Sequence, residues 1–173
     1  MALAVHPTSR EILLPEDDVI VSKTDLKGRI TYANRTFCQI AGYTEAELLG
    51  APHSIVRHPD MPRAVFKLLW DTLLGGQEIF AYVKNMTKTG DFYWVFAHVT
   101  PSYDGSRNMI GFHSNRRAPD RRTVSLIEAL YRTVLAEEQQ HKNGQRALAA
   151  GFDRLTGIVT SKGMPYEELI FAL

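Results

Sequence analysis

The chain has a single cysteine, Cys38. An internal disulfide is therefore excluded, as is any CxxC redox or zinc motif, which suits a reducing compartment. Neither sign of charge dominates: 20 Lys and Arg stand against 19 Asp and Glu, for a formal net charge of +1. Such a balance offers no field for nucleic acid or an anionic membrane to read. No apolar stretch approaches the roughly 20 residues of a membrane-spanning helix. The N-terminal run MALAVHPTSREILLPEDD lacks the basic and apolar regions of a secretory leader, so the expected location is cytoplasmic. There is no nucleophile beside a base, no usefully spaced carboxylate pair and no phosphate loop, and the expectation is that the chain is not an enzyme. Internal repeats and low-complexity tracts are missing too.

What is present is a composition that folds, with 45% apolar and 23% charged residues in 173. That length allows one domain and an appendage, expected as an arm over 1–18, a domain over 19–118 and a helical extension over 119–173. The arm combines Pro7, Pro15 and the acidic run 16–18 with Ile12-Leu13-Leu14. It reads either as a loose tail or as a segment packing on its own domain or on a second subunit.

Val19–Ser22 and Arg29–Ala33 are β-branched and aromatic, and Asp25-Leu26-Lys27-Gly28 between them makes a hairpin. Asn34 is placed to cap a short helix bearing Phe37, Ile40 and Ala41, which Gly42 closes. Thr44 to Glu47 has capping-box spacing for a second short helix. Pro52, Pro59 and Pro62 constrain the segment carrying His53, Arg57, His58 and Asp60. Pro62 suits the first turn of the longest core helix, with Val65, Leu69 and Leu73 in helical register and Phe66 and Trp70 alongside, stopped by Gly75-Gly76. Three strands are expected over 78–85, 92–100 and 109–114. Short connections make neighbouring strands antiparallel, so the class is α+β: a five-stranded antiparallel sheet with short helices on one face. Val124, Ile127, Leu130, Tyr131 and Val134 mark a further helix, expected to end at Asn143-Gly144. Leu148, Phe152, Leu155 and Val159 mark another, and 165–173 a last turn or two. These stripes must be buried on the open sheet face or on another copy of the chain.

Four runs, TDLKGRITYANRTF (24–37), GYTEAELLGAPHSIVRHPDMPRAVF (42–66), VKN (83–85) and GDFYWV (90–95), resemble the flavin-binding PAS domain of bacterial aerotaxis receptors over roughly 15–118. The resemblance implies a PAS fold, FAD held non-covalently in a half-barrel, and a redox change that alters the surface: a sensor of redox state or oxygen for aerotaxis-like signalling. By position it implies Asn34, Arg57, His58, Asp60, Trp70 and Asn85 as flavin-binding or signalling residues, with Trp94 in the matching strand. Gln77-Glu78-Ile79-Phe80-Ala81 departs from the GEPW-like run usual there, which alters one pocket wall. The family's receptors continue into a membrane anchor and a signalling coiled coil, so this chain resembles a shorter relative that signals through a partner, with a homodimer through the arm or the C-terminal helices.

Residue chemistry supplies a rival to each role. The Asn85 carboxamide matches the N3–H and O4 edge of a flavin, or simply caps its strand. Arg57, His58 and Asp60 suit a ribityl or diphosphate group, or Arg57 and Asp60 pair to pin the loop. Trp70 and Trp94 face a planar ring from two sides, or are core, and Tyr82 and Tyr93 are weaker candidates of the same kind. His53 and His58 raise haem b as the alternative cofactor. His98 and His113 lack a third metal ligand. Cys38 is a small buried hydrophobe, and the GxNCRFLQ run of LOV domains is absent. Arg116, Arg117, Arg121 and Arg122 form a basic cluster, either a solvated linker or a relay to a partner. A cofactor-free interaction module, suggested by Ile79-Phe80, is the remaining reading.

Overall fold

The computed structural model describes residues 5–173. Asp25 starts the hairpin that opens the domain: its carboxylate accepts from the backbone N–H of Lys27 (2.8 Å) and Arg29 (2.9 Å), and Gly28 turns the chain at φ +76°. This joins β1 (Ile20–Thr24) to β2 (Ile30–Ala33). Asn34 then caps α1 (Arg35–Ala41), which Gly42 ends in the left-handed region, and the Thr44–Glu47 capping box starts α2 (Glu45–Leu48). A single 3-10 turn over His53–Val56 leads to α3 (Arg63–Leu74).

Strands β3 (Ile79–Met86), β4 (Phe92–Tyr103) and β5 (Met109–Arg117) complete a sheet of order β2-β1-β5-β4-β3, antiparallel throughout. Helices α1 to α3 are inserted between β2 and β3 and cover one face. Successive strand side chains point to opposite faces. Val83, Asn85, Ala97 and Val99 accordingly look toward α3, whereas Tyr82, Trp94 and Phe96 look the other way.

That other face is covered by the chain itself. Along α4 (Arg121–Gln139), Val124, Ile127, Tyr131 and Val134 are buried, and the Tyr131 hydroxyl donates to the Tyr82 carbonyl at 2.8 Å. The short α6 (Tyr166–Ala172) brings Phe171 against Phe80, ring centroids 4.8 Å apart. Between them α5 (Gly144–Ser161) packs on α3 and α4. Asn143-Gly144, expected as a helix end, is instead a helix start. The Asn143 side-chain oxygen accepts from the N–H groups of Gln145 and Arg146, both at 3.0 Å, satisfying donors that α5 would otherwise leave unpaired.

The arm follows the β3–β4 turn. Thr8 N–H donates to Gly90 O (2.8 Å), Ile12 N–H to Phe92 O (2.7 Å), and Arg10 pairs with Asp91. Glu11 pairs with Arg121 at 2.7 Å, tying the arm to α4.

Candidate functional site

Between α3 and the sheet lies a cavity of about 360 Å3, within the range of roughly 300–1,000 Å3 usual for small-molecule sites. Its apolar walls come from Phe66, Leu69, Trp70 and Leu73 on α3, Val83, Ala97 and Val99 on β3 and β4, and Phe112 on β5. Trp70 meets Phe112 edge to face at 5.2 Å. The polar groups are Ser22, Thr24, His53, Ser54, Arg57, Asn85, Ser114 and Arg116, with Lys27 and Gly28 at the Trp70 end. No carboxylate lines the cavity among the described residues. Of the seven residues that the resemblance implies, Arg57, Trp70 and Asn85 meet here.

The Asn85 side chain is buried, and no hydrogen bond to its carboxamide is formed among the described residues. Its backbone bridges to Arg57, which fixes both beside the cavity. The Arg57 guanidinium lies 3.9 Å from the Phe66 ring centroid and leaves Nη2 unpartnered. The expected pair of Arg57 with Asp60 does not form.

Arg116 was hidden within the basic cluster. The structure separates it: Arg116 is buried, whereas Arg117 is exposed and Arg121 is engaged by Glu11. Its guanidinium lies 4.4 Å from the Phe37 ring centroid and donates to the Ser22 hydroxyl at 2.5 Å, while Nε and Nη1 have no partner. Burial lowers its pKa to about 10. A guanidinium can only donate, so the Ser22 proton is free to point at His53 Nε2, 3.1 Å away. Burial first, then the Arg116 charge, hold the His53 imidazole down at about 3, hence neutral. The parity of β5 carries the missed signal: Phe112, Ser114 and Arg116 share one face.

Four implied residues lie elsewhere. Asn34 is structural, with Oδ1 accepting from Val21 and Phe37 N–H (both 3.0 Å) and Nδ2 donating to Val19 O (2.8 Å); its carboxamide closes the hairpin on α1. Trp94 stands on the opposite sheet face, stacked on Tyr131 at 6.3 Å, because it is one residue out of phase with the cavity-facing positions. Asp60, itself exposed, accepts from the buried ammonium of Lys84 at 2.7 Å, on the α4 side of β3. His58 is buried edge-on to Phe92 and borders a second, open groove beneath α4 and α5. Its Nδ1 accepts from Asp60 N–H at 3.1 Å, and burial lowers its pKa. Tyr82 also faces outward; Tyr93 faces inward, fully buried with its hydroxyl unpartnered, and burial raises its pKa. His98 bonds Glu78 at 2.7 Å and His113 bonds Asn115 at 3.3 Å; no cluster that could hold a metal ion occurs among the described residues.

The order of elements, the five-stranded antiparallel sheet and a cavity between one sheet face and α3 define an α+β module built around an internal cavity. The family model for the PAS fold matches residues 30–115, and the chain belongs to the PAS-domain family. It is similar to the aerotaxis receptor of Escherichia coli strain K12, 40% identical over 136 residues, covering 78% of this chain and 27% of the receptor. The nitrogen fixation regulatory protein of Klebsiella pneumoniae is 32% identical over 96 residues, covering 56% of this chain and 19% of that protein. The chain thus spans about a quarter or less of the length of these relatives. Among solved structures, a light-oxygen-voltage domain studied with a flavin analogue shares the fold at a TM-score of 0.56 and 18% identity, over 71% of this chain and 87% of that one. No helix among the described residues is long and apolar enough to cross a membrane.

Proposed function

We propose that the chain is a sensor unit that holds FAD non-covalently in the cavity behind α3 and reports its redox state, and through it oxygen or energy status, to a partner in aerotaxis-like signalling. The observation that carries this reading is the set of buried unpaired donors around one slot, Arg57 Nη2 and Arg116 Nε and Nη1, beside the lining residue Asn85 and with no carboxylate lining the slot among the described residues. A flavin presents an acceptor-rich pyrimidine edge and bears phosphates, and an apolar aromatic wall such as Trp70 and Phe66 suits its ring. Bound flavin would supply reversible one- or two-electron chemistry. The residues here would bind and orient it, with Asn85 able both to donate and to accept as that edge changes protonation.

Haem b fits this geometry less well, since His53 Nε2 is taken by Ser22 and His58 borders the other groove. A cofactor-free module fits poorly with a cavity of this size, and the outer sheet face on which a second copy could dock is occupied by α4 and α6. Homodimerisation, where it occurs, would use the outer surfaces of the arm and the C-terminal helices. The test is the absorbance spectrum of purified protein. Flavin bands near about 450 nm that bleach on reduction are expected; a protein that binds no flavin even after incubation with FAD overturns the reading.

A further inference from the structure

Helix α3 forms one wall of the cavity, yet no side chain at its own start caps it. Pro62 occupies the cap position and offers no side-chain acceptor, which leaves the first N–H groups of the helix without local partners. Glu138, at the far end of α4, takes two of them: Arg63 N–H at 3.1 Å and Ala64 N–H at 2.8 Å, one on each carboxylate oxygen. Only 5% of Glu138 is exposed. A buried carboxylate is tolerated when its oxygens are hydrogen-bonded, and it gains further from the positive end of a helix.

Helix α5 is shaped around this contact. A Cβ on Gly151 would fall 2.4 Å from Glu138 Cγ and 2.6 Å from Oε1, so only glycine lets α5 cross there. The Arg63 guanidinium donates to Gly144 O at 3.0 Å, a second tie from the start of α3 to the start of α5. Breaking the Glu138 contact would leave a buried acceptor and two donors unpaired together, so the junction favours two states, docked or released, over a graded slide.

The same junction borders the cavity. Arg57, stacked on Phe66 of α3, lines both the cavity and the groove that Glu138 borders. We infer that Glu138 is a positioning residue for the cofactor wall: the α4–α5 hairpin latches onto the start of α3 through its carboxylate, so that occupancy of the cavity and docking of the C-terminal hairpin stabilise each other. The inference rests on the flavin reading above and adds to it the route by which the site reaches the C-terminal helices. Coupling of this kind is reciprocal: whatever factor docking adds to FAD affinity, FAD adds to docking.

The experiment uses the full chain, as wild type, Glu138→Gln and Gly151→Ala, and measures FAD affinity by flavin fluorescence together with amide hydrogen exchange over 63–66 and 138–151 with and without FAD. FAD is expected to slow exchange in both segments of the wild type. Each variant should lose that slowing and bind FAD about tenfold more weakly, a coupling of ordinary size. A Glu138→Gln protein that is less stable to urea but binds FAD with wild-type affinity shows a purely structural cap and overturns the latch alone. Should a variant fail to fold, the wild type still decides: unchanged exchange over 138–151 on FAD binding overturns the latch. A wild type that takes up no FAD overturns the flavin reading, and this inference with it.

Discussion

Arg116 reaches the hydroxyl of Ser22 at 2.5 Å inside a cavity wall that contains no carboxylate among the described residues. A buried guanidinium whose one hydrogen bond among the described residues goes to a neutral hydroxyl is a net cost to the fold. Isolated buried charge is penalised by several kcal/mol unless a partner neutralises it. Under the flavin reading proposed above, the bound cofactor would be the partner that offsets this cost.

Replacing Arg116 by Met should therefore separate stability from binding. The ligand-free protein is expected to be stabilised, by at least about 1 kcal/mol, while FAD affinity falls tenfold or more. Urea unfolding of the ligand-free protein and a flavin titration read the two effects. Loss of stability with unchanged affinity would assign Arg116 a structural partner instead.

The imidazole of His53 makes stability depend on acid. Its folded pKa lies at about 3, below the ordinary 6.5, because burial and Arg116 oppose its charge. Between those values the unfolded chain holds a proton that the folded one does not, so stability is greatest above about pH 6.5 and falls as the pH drops toward 3. The slope is at most about 1.4 kcal/mol per pH unit for one such group. His58, also lowered by burial, adds in the same direction. Urea midpoints measured from pH 7 to pH 4.5 should fall in the wild type and fall less steeply in His53→Gln. Parallel curves would mean that His53 is protonated in the folded state.

Much of this was readable in the chain, for reasons that mark where reading stops. Caps and turns are local, so the Asp25–Gly28 hairpin, the Asn34 cap and the Thr44–Glu47 box follow from neighbouring residues. Arg57, Trp70 and Asn85, implied by the resemblance, all line the cavity behind α3. Trp94 was read either as facing a planar ring or as core, and strand parity decides between the two, since it is Tyr93, the antiparallel partner of Asn85, that shares the cavity-facing side. Asp60 and His58 could not be placed from spacing, because their partners Lys84 and Phe92 lie in strands 24 and 34 positions further along. Asn143 shows the limit of local rules, since the same residue type ends one helix or begins the next.

The two tryptophans should consequently behave differently. Trp70→Leu removes an aromatic wall of the cavity and is expected to lower the flavin-to-protein ratio of purified material, with a modest cost in stability because Trp70 is only half-buried. Trp94→Leu empties space beneath Tyr131 and should cost about 2–4 kcal/mol, with the flavin ratio of the surviving folded protein unchanged. Ratios from absorbance at the flavin band and at 280 nm, set beside urea midpoints, decide it. Equal loss of flavin in both variants would contradict the opposite-face placement.

Gly28 tests where the ligand enters. It holds φ +76° in the β1–β2 turn, and an added Cβ would lie 3.1 Å from Trp70 Cζ2, at the Lys27 end of the cavity. Alanine there meets two penalties, the left-handed backbone, about 1–2 kcal/mol, and contact with the Trp70 indole that lines the cavity. Gly50 supplies the control, with φ +78° and nothing within 4 Å of its would-be Cβ. Both alanine variants should lose similar stability from backbone strain. Only Gly28→Ala should also slow FAD association in stopped-flow mixing, because only there does the new methyl group press on Trp70. Equal association rates for the two variants would mean that the ligand enters elsewhere, and the Ser54–Arg57 seam, which lines both the cavity and the second groove, would then be the route.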